Sequence, residues 1–104
     1  MQELSAVRRS LSAGELDAPL SRLMGGRSAE LCRRRAEELL DGFQRSFGAS
    51  ERTCVTLCSA PGRTEICGNH TDHQHGRVLA AAVNLDFLAC AAPNGTNTIR
   101  FQSE

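Results

Sequence analysis

The sequence has 104 residues, 40% hydrophobic and 23% charged, which fits one small globular domain and excludes disordered and fibrous classes. Twelve basic residues balance twelve acidic ones, so no nucleic-acid partner is indicated. Neither a signal-peptide pattern nor an apolar run of about 18 residues is present, which predicts a cytoplasmic protein without a membrane partner. Five irregularly spaced cysteines favour reduced thiols over a disulfide framework.

The N-terminal half predicts helices. Residues 2–11 carry Leu4, Val7 and Leu11 at helical spacing, and a second short helix precedes Gly25-Gly26. Ser28 is a suitable N-cap for a third, stronger helix that ends at Gly48. The apolar face of this third helix consists of Cys32, Ala36, Leu39, Leu40, Phe43 and Phe47.

The run Arg33-Arg34-Arg35 lies on the same predicted helix. Acidic residues one turn away permit ion pairs along the helix surface. This pattern favours a solvated charged face over a nucleic-acid site.

The C-terminal half predicts strands. Alternation over residues 54–58 predicts a strand, which Ala60-Pro61-Gly62 should break before a short extended piece from Arg63 to Cys67. Further strands are predicted at residues 78–83, 87–92 and 98–101, the last two joined by an Asn-Gly hairpin turn. Helices followed by four or five strands predict an α+β fold with a mixed or antiparallel sheet.

This order divides the chain into a helical segment, residues 1–52, and a strand segment, residues 53–104. The strands carry apolar residues on both faces, whereas the one strong amphipathic helix covers a single face. We therefore expect an open sheet face and self-association through an unpaired sheet edge.

Between the predicted strands, residues 60–76 concentrate arginine, asparagine, aspartate and histidine side chains. A metal site is not favoured, because the histidines lack the paired spacing of zinc ligands. A nucleophilic Cys67–His70 pair lacks an evident orienting group. Asn69 and Asp72 suit hydrogen bonding to adjacent sugar hydroxyls, and Arg63 suits phosphate charge. A polar surface loop is equally compatible with the residue types alone.

The order of these residues is more specific than their types. The run Ala-Pro-Gly-Arg-Thr-Glu-Ile-Cys-Gly-Asn-His-Thr-Asp-His resembles the N-terminal signature of galactokinases, which are GHMP small-molecule kinases. In that family a Pro-Gly-Arg turn precedes a Gly-Glu-His-Thr-Asp segment. The resemblance extends from the helix that ends at Phe47-Gly48, through Val78-Leu79-Ala80 and Asn84-Leu85, towards the end of the chain, and so covers roughly the second half of the sequence. It implies the N-terminal part of a galactokinase, with an incomplete GHMP kinase N-terminal domain of the ribosomal protein S5 domain 2-like type.

The resemblance also implies roles for individual residues. Arg63 matches an arginine that stabilises the transition state of phosphoryl transfer. The sugar-holding segment corresponds to Asn69, His70, Thr71 and Asp72, with Asp72 as the strongest direct ligand. The intact enzyme would phosphorylate the anomeric hydroxyl of galactose, the small-molecule partner, with ATP and magnesium.

Two departures from the family pattern leave the preferred aldose open. Asn69 replaces the usual glutamate, and His73 stands where tyrosine is common. No glycine-rich phosphate-binding run is present, so we expect no cofactor or metal site in these 104 residues and no activity from them alone. A non-catalytic sugar-binding or regulatory relative of the same family is the alternative.

Overall fold

The computed structural model describes residues 1–68 and 71–103, without the side chain of Asp72. It has α+β architecture, which confirms the predicted class. The strands are β1 (Gln2–Glu3), β2 (Cys54–Cys67) and β3 (Leu79–Ala91), and the helices are α1 (Leu4–Ser12), α2 (Asp17–Leu23) and α3 (Ala29–Phe47). A short 3₁₀ turn, Thr71–Gln74, lies between β2 and β3. None of the helices in the described residues combines the length and apolar character needed to cross a membrane.

The predicted ends of α3 are confirmed. The Ser28 hydroxyl accepts a hydrogen bond from the backbone N–H of Leu31 at 3.4 Å. Gly48 adopts a left-handed conformation with φ of 64°, and its N–H donates to the Gln44 carbonyl at 3.0 Å. Both features satisfy backbone groups that a helix end leaves unpaired.

The core joins the helices to the start of β2. Within the described part of the chain, the buried apolar residues come almost entirely from the helical half. They are Leu4, Val7, Leu11, Leu20, Met24, Cys32, Ala36, Leu40 and Val55. The predicted spacing of Leu4, Val7 and Leu11 is thus confirmed as the buried face of α1.

The arginines of the run have three different partners. Arg34 pairs with Glu38 one turn away at 3.7 Å, as predicted. Arg33 instead reaches Asp17 of α2 at 2.6 Å, and Arg35 reaches Asp86 of β3 at 2.9 Å. The expectation of a simple solvated face is therefore wrong for two of the three arginines, which connect α3 to neighbouring elements.

The three strands form one antiparallel sheet in the order β1-β2-β3. The first helix begins at Leu4 rather than residue 2, because Gln2 and Glu3 pair with Val55 and Cys54 of β2. The described residues therefore contain a strand that helical periodicity did not indicate.

Ala60-Pro61-Gly62 does not break β2. The strand continues to Cys67, and the pairing register shifts between Pro61 and Gly62. Pro61 lies opposite Asp86 and Gly62 lies opposite Val83, so β3 carries two extra residues at this point, Asn84 and Leu85. We call these two residues the β3 bulge. A bulge accommodates proline without ending the strand.

The predicted strand at residues 98–101 is also wrong, and the segments at 78–83 and 87–92 form the single strand β3. Side-chain bonds close the turn after β3 instead of a backbone ladder. Asn94 accepts from the N–H of Thr96 at 2.9 Å, and its amide donates to the Thr98 carbonyl at 2.8 Å. Such local bonds compete with strand pairing. The described residues thus contain three strands rather than four or five.

The helices cover one face of the sheet. Leu57, Leu88 and Cys90 pack against the core, whereas Phe87 on the other face is 79% exposed. The prediction of an open apolar face is therefore confirmed. Beyond the bulge, Gly62–Cys67 and Leu79–Val83 extend as a two-stranded ribbon, which we call the distal hairpin, and no residue of it is buried.

Candidate functional site

The polar run lies on the distal hairpin and its loop. Arg63 is an exposed residue of β2 opposite Ala82 of β3. Four residues later β2 ends at Cys67, and residues 68–78 form the loop that returns the chain to β3. The hairpin therefore brings Arg63 and this loop, which we call the signature loop, to the same end of the molecule.

Thr71 closes the start of the signature loop. Its hydroxyl donates to the Gly68 carbonyl at 2.7 Å, and its backbone N–H donates to the same oxygen at 3.2 Å. The Gly76 N–H then donates to the Thr71 carbonyl at 2.8 Å. Because a hydroxyl has one proton to donate, Thr71 would contact a ligand through its remaining acceptor lone pairs.

Two glycines allow the loop to close this tightly. Gly68 has φ of 126°, and a Cβ atom there would lie 2.7 Å from Val78 Cα and 2.8 Å from the Arg77 carbonyl. A Cβ atom at Gly76 would collide with the side chain of Thr71. The loop therefore requires glycine at both positions, on grounds of space at each and of backbone conformation at Gly68.

Three of the four predicted sugar-binding side chains lie outside the described part of the chain. Asn69 and His70 lie outside the described residues, as does the side chain of Asp72. Their assigned roles stay predictions, as do those of Arg63 and Thr71. His73 and His75 are exposed, and among the described residues no cluster of His, Cys, Asp and Glu could hold a metal ion.

The ionic cluster at the boundary of the distal hairpin was not predicted from the sequence. Asp86, whose side chain is 7% exposed, accepts from Arg35 at 2.9 Å and from Arg27 at 3.1 Å. The Ser59 hydroxyl lies 3.2 Å from the second carboxylate oxygen, and Arg27 also donates to the Asn84 carbonyl at 2.9 Å. The cluster therefore attaches the β3 bulge to α3 and to the chain segment that precedes it.

A signal for this cluster was present in the sequence. Asp86 interrupts an apolar stretch, Leu85-Asp86-Phe87-Leu88, at a position on the same side of β3 as Leu88. A charge on the covered face of a strand requires a partner. The partners could not be identified, because they lie 51 and 59 residues away along the chain.

The charges around Asp86 keep it ionised. Burial alone would raise the pKa of this carboxyl, but the hydrogen bond and charge of Arg35, with Ser59 and Arg27, outweigh burial. The pKa of Asp86 therefore lies below its ordinary value of 3.8. With its oxygens engaged by three side chains, Asp86 serves to hold structure rather than to transfer protons.

The thiol of Cys90 is unsuited to nucleophilic chemistry. Burial, with a smaller contribution from Cys58, raises its pKa to about 11. The thiolate, which is the reactive form, is therefore scarce near neutral pH.

Two shallow depressions of about 280 and 240 Å³ lie away from the signature loop. The first is lined by β1, α1 and β2, and includes Val7 and Val55. The second lies between α2 and the β3 bulge, and includes Gly25 and Asn84. Neither is lined by Arg63 or by the described residues of the signature loop.

The comparisons with known proteins coincide with this hairpin. A family model described as the galactokinase galactose-binding signature matches residues 41–93, which include β2, the signature loop and β3. The chain is 34% identical over 67 residues to a galactokinase of Streptococcus mutans, covering 64% of this chain and 16% of that protein. It is 36% identical over 69 residues to a galactokinase of Canis lupus familiaris, covering 62% of this chain and 17% of that protein. The chain thus spans about a sixth of the length of these curated relatives. No solved structure matches it.

Proposed function

This chain belongs to the galactokinase family, and we propose that it supplies the galactose-holding part of a galactokinase active site. In the intact enzyme, the anomeric hydroxyl of galactose is phosphorylated at the expense of ATP. The observation that supports this proposal is that the matched residues 41–93 include the whole β2–loop–β3 hairpin, on which Arg63 and the signature loop lie.

The proposed roles follow from the chemistry of the side chains. The Asp72 carboxylate accepts hydrogen bonds from sugar hydroxyls, while Asn69 and His70 both donate and accept. A site that forms a hydrogen bond to each sugar hydroxyl discriminates against analogues that lack one of these hydroxyls. Thr71 shapes the loop and offers an acceptor. Arg63 stabilises negative charge that develops on the transferred phosphoryl group.

The residues of this chain do not fit a nucleotide site. The sequence lacks a glycine-rich phosphate-binding run, and no metal-ligand group exists among the described residues. We therefore assign ATP and magnesium to no residue of this chain and derive no step through them. The 104 residues alone are expected to lack phosphoryl-transfer activity.

We further assign the fold to a GHMP kinase N-terminal domain of the ribosomal protein S5 domain 2-like type and place the protein in the cytoplasm.

A chimera tests the proposal. Residues 41–93 of this chain replace the matching segment of the Streptococcus mutans galactokinase, and ATP-dependent phosphorylation of galactose is measured. The chimera should phosphorylate galactose, Asp72→Ala should raise KM or abolish turnover, and Gln74→Ala, an exposed loop substitution, should change neither. Arg63→Lys should retain galactose binding and reduce kcat by about a hundredfold, as expected for the loss of a positioned charge donor.

A folded chimera that binds ATP but phosphorylates no aldose would contradict the proposed catalytic role. If that chimera still binds galactose, measured by calorimetry, the non-catalytic sugar-binding alternative is supported. Folding is checked by circular dichroism in every variant, so that loss of structure is not mistaken for loss of function.

A further inference from the structure

Arg27 forms hydrogen bonds to the β3 bulge and to the residue beside it. One nitrogen of its guanidinium group donates to the Asp86 carboxylate at 3.1 Å, and the other donates to the Asn84 carbonyl at 2.9 Å. The Arg27 backbone is itself held in place, because its carbonyl accepts a hydrogen bond from the Ser21 hydroxyl at 2.7 Å. A planar group with fixed donor directions therefore joins the two residues that flank Leu85.

The segment before α3 fits the bulge at a second point. A Cβ atom at Gly25 would collide with the side-chain oxygen of Asn84. Gly25 also has φ of 73°, a backbone conformation that favours glycine. Residues 25–27 therefore form a surface that accommodates the bulge, and Arg27 supplies its hydrogen bonds.

The bulge sets the pairing register of the distal hairpin. In the part of the sheet before the bulge, Pro61 lies opposite Asp86. A continuous ladder would place Asn84 opposite Arg63, but the bulge places Ala82 there instead. We call these two arrangements the continuous register and the bulged register, and they differ by two residues.

Apolar burial does not select between the two registers. Side chains alternate between the faces of a strand, so a shift of two residues leaves each side chain on the same face. No residue of the distal hairpin is buried, and Ala80, Ala81 and Ala82 are the same residue type. The continuous register would also keep the ladder intact, which a bulge interrupts. The bulged register therefore requires a stabilising contact that the continuous register lacks.

The Arg27–Asn84 bond is a contact of this kind. Straightening β3 would move the Asn84 carbonyl by several ångströms, since each extended residue rises about 3.3 Å. Asp86, in contrast, stays opposite Pro61 in both registers. Arg35 contacts Asp86 at 2.9 Å, on the side of the bulge where the pairing does not change. The Arg35 contact is therefore compatible with either register.

We propose that Arg27 is a positioning residue that selects the bulged register of the distal hairpin, and so determines where Arg63 lies relative to the signature loop. In the continuous register Cys67 would lie opposite Ala81 instead of Leu79, and the loop would lengthen by two residues. The choice of register follows from the contacts of this chain alone. Its relevance to a sugar site rests on the proposed function.

Nuclear magnetic resonance of the isotopically labelled chain measures the register directly. In the unaltered chain, backbone Overhauser effects should connect Arg63 with Ala82. Arg27→Ala should replace them with effects between Arg63 and Asn84, which is a shift of two residues. Arg35→Ala is the matched control, because it removes the shorter of the two arginine–carboxylate contacts but leaves the bond to the Asn84 carbonyl. This variant should keep the contact between Arg63 and Ala82.

Deletion of the two bulge residues, Asn84 and Leu85, provides a rescue. In the shortened strand the continuous ladder itself places Ala82 opposite Arg63. Arg27→Ala in this background should therefore leave the contact between Arg63 and Ala82 unchanged. A general loss of structure in Arg27→Ala would not be repaired in this way.

Every other outcome overturns the proposal. These outcomes are unfolding of Arg27→Ala in circular dichroism, absence of its Arg63–Asn84 contact, loss of the Arg63–Ala82 contact in Arg35→Ala, and failure of the deletion to restore that contact. An unaltered chain in the continuous register would do the same. Neither sugar binding nor phosphoryl transfer enters these measurements, so their failure is distinct from failure of the proposed function.

Discussion

The carboxylate of Asp86 joins three parts of the chain within an otherwise apolar stretch of β3. Its partners are Ser59 on β2, Arg35 on α3 and Arg27 just before α3. A buried carboxylate is favourable only while such partners remain, since an uncompensated buried charge is costly. The cluster therefore determines how the bulge, and the hairpin beyond it, attach to the helices.

Asp86→Asn should destabilise the fold by about 2 kcal/mol, because it leaves two partly buried arginines without their counter-charge. The arginines are about a quarter exposed, at 23% and 26%, so solvent limits the loss. Urea unfolding followed by circular dichroism measures it. Arg34→Ala is the control, since Arg34 and Glu38 are 68% and 69% exposed. It should cost no more than about 0.5 kcal/mol. Equal costs for the two substitutions would contradict the assigned role.

The contribution of Asp86 to the stability of the fold should decrease as the pH falls. Because its pKa is lower in the folded chain than the ordinary 3.8, ionised Asp86 favours folding. This stabilisation is fully present at pH values above the ordinary pKa. It is lost as the pH falls through the lower pKa that Asp86 has in the folded chain. The stability difference between the unaltered chain and Asp86→Asn should thus be constant near neutral pH and shrink below about pH 4. A difference that grows on acidification would refute this sign.

Gly68 determines whether the signature loop can close. Gly68→Ala should destabilise the chain by about 2 kcal/mol, because its φ is unfavourable for alanine and the new Cβ meets backbone atoms that cannot move freely. Gly95→Ala is the comparison, since Gly95 also has positive φ but no atom within 4 Å of the new Cβ. It should cost about 1 kcal/mol or less. Urea midpoints of the two variants should differ accordingly, and a milder effect at Gly68 would argue against this loop geometry.

At the scale of elements, local signals predicted the helices well. The side chain of Ser28 and the left-handed Gly48 define the ends of α3, and both were recognisable in the sequence. The strands were predicted less well, because their limits depend on distant partners. Pro61 stays within β2 because a bulge across the sheet absorbs the register shift, and Gln2–Glu3 becomes a strand only because β2 lies beside it.

The candidate site was predicted in the same uneven way. The motif order identified the family signature, since such a signature is local in sequence, and the roles of Arg63 and of the signature loop stay predictions. The Asp86 cluster was missed, because its arginines lie far away along the chain. Closure of the loop by Gly68 and Thr71 likewise depends on backbone conformation that residue types do not specify.

The two halves of the hairpin should differ in local stability. Beyond the bulge no helix covers the distal hairpin, whereas Leu57, Leu88 and Cys90 of the other half pack against the core. Amides with few buried neighbours exchange through local opening. Amides of Gly62–Cys67 and Leu79–Val83 should therefore exchange faster than those of residues 56–60 and 87–91. Mass spectrometry of proteolytic peptides measures this difference. Uniform exchange along β2 would mean that the hairpin opens as one unit.

At the scale of the whole molecule, the stabilising core and the candidate site are separate. The buried apolar residues in the described part of the chain lie on the helices and at Val55, close to the start of β2. The signature loop lies at the far end of a ribbon that contributes no buried residue. Among the described residues, the first part of the hairpin and the Asp86 cluster therefore connect the helical half to the signature loop.

This separation makes a core substitution the sharpest test of what holds the chain together. Leu40 is 0% exposed and Leu23 is 60% exposed, and both lie on helices where alanine is well tolerated. Leu40→Ala should cost about 3 kcal/mol through the cavity it leaves, whereas Leu23→Ala should cost well under about 1 kcal/mol. Since small domains are stable by only about 5–15 kcal/mol, Leu40→Ala should lower the urea midpoint markedly. Circular dichroism at a helix band is the suitable probe, because the chain has no Trp or Tyr. Comparable midpoints for the two variants would show that the helices are not the stabilising core.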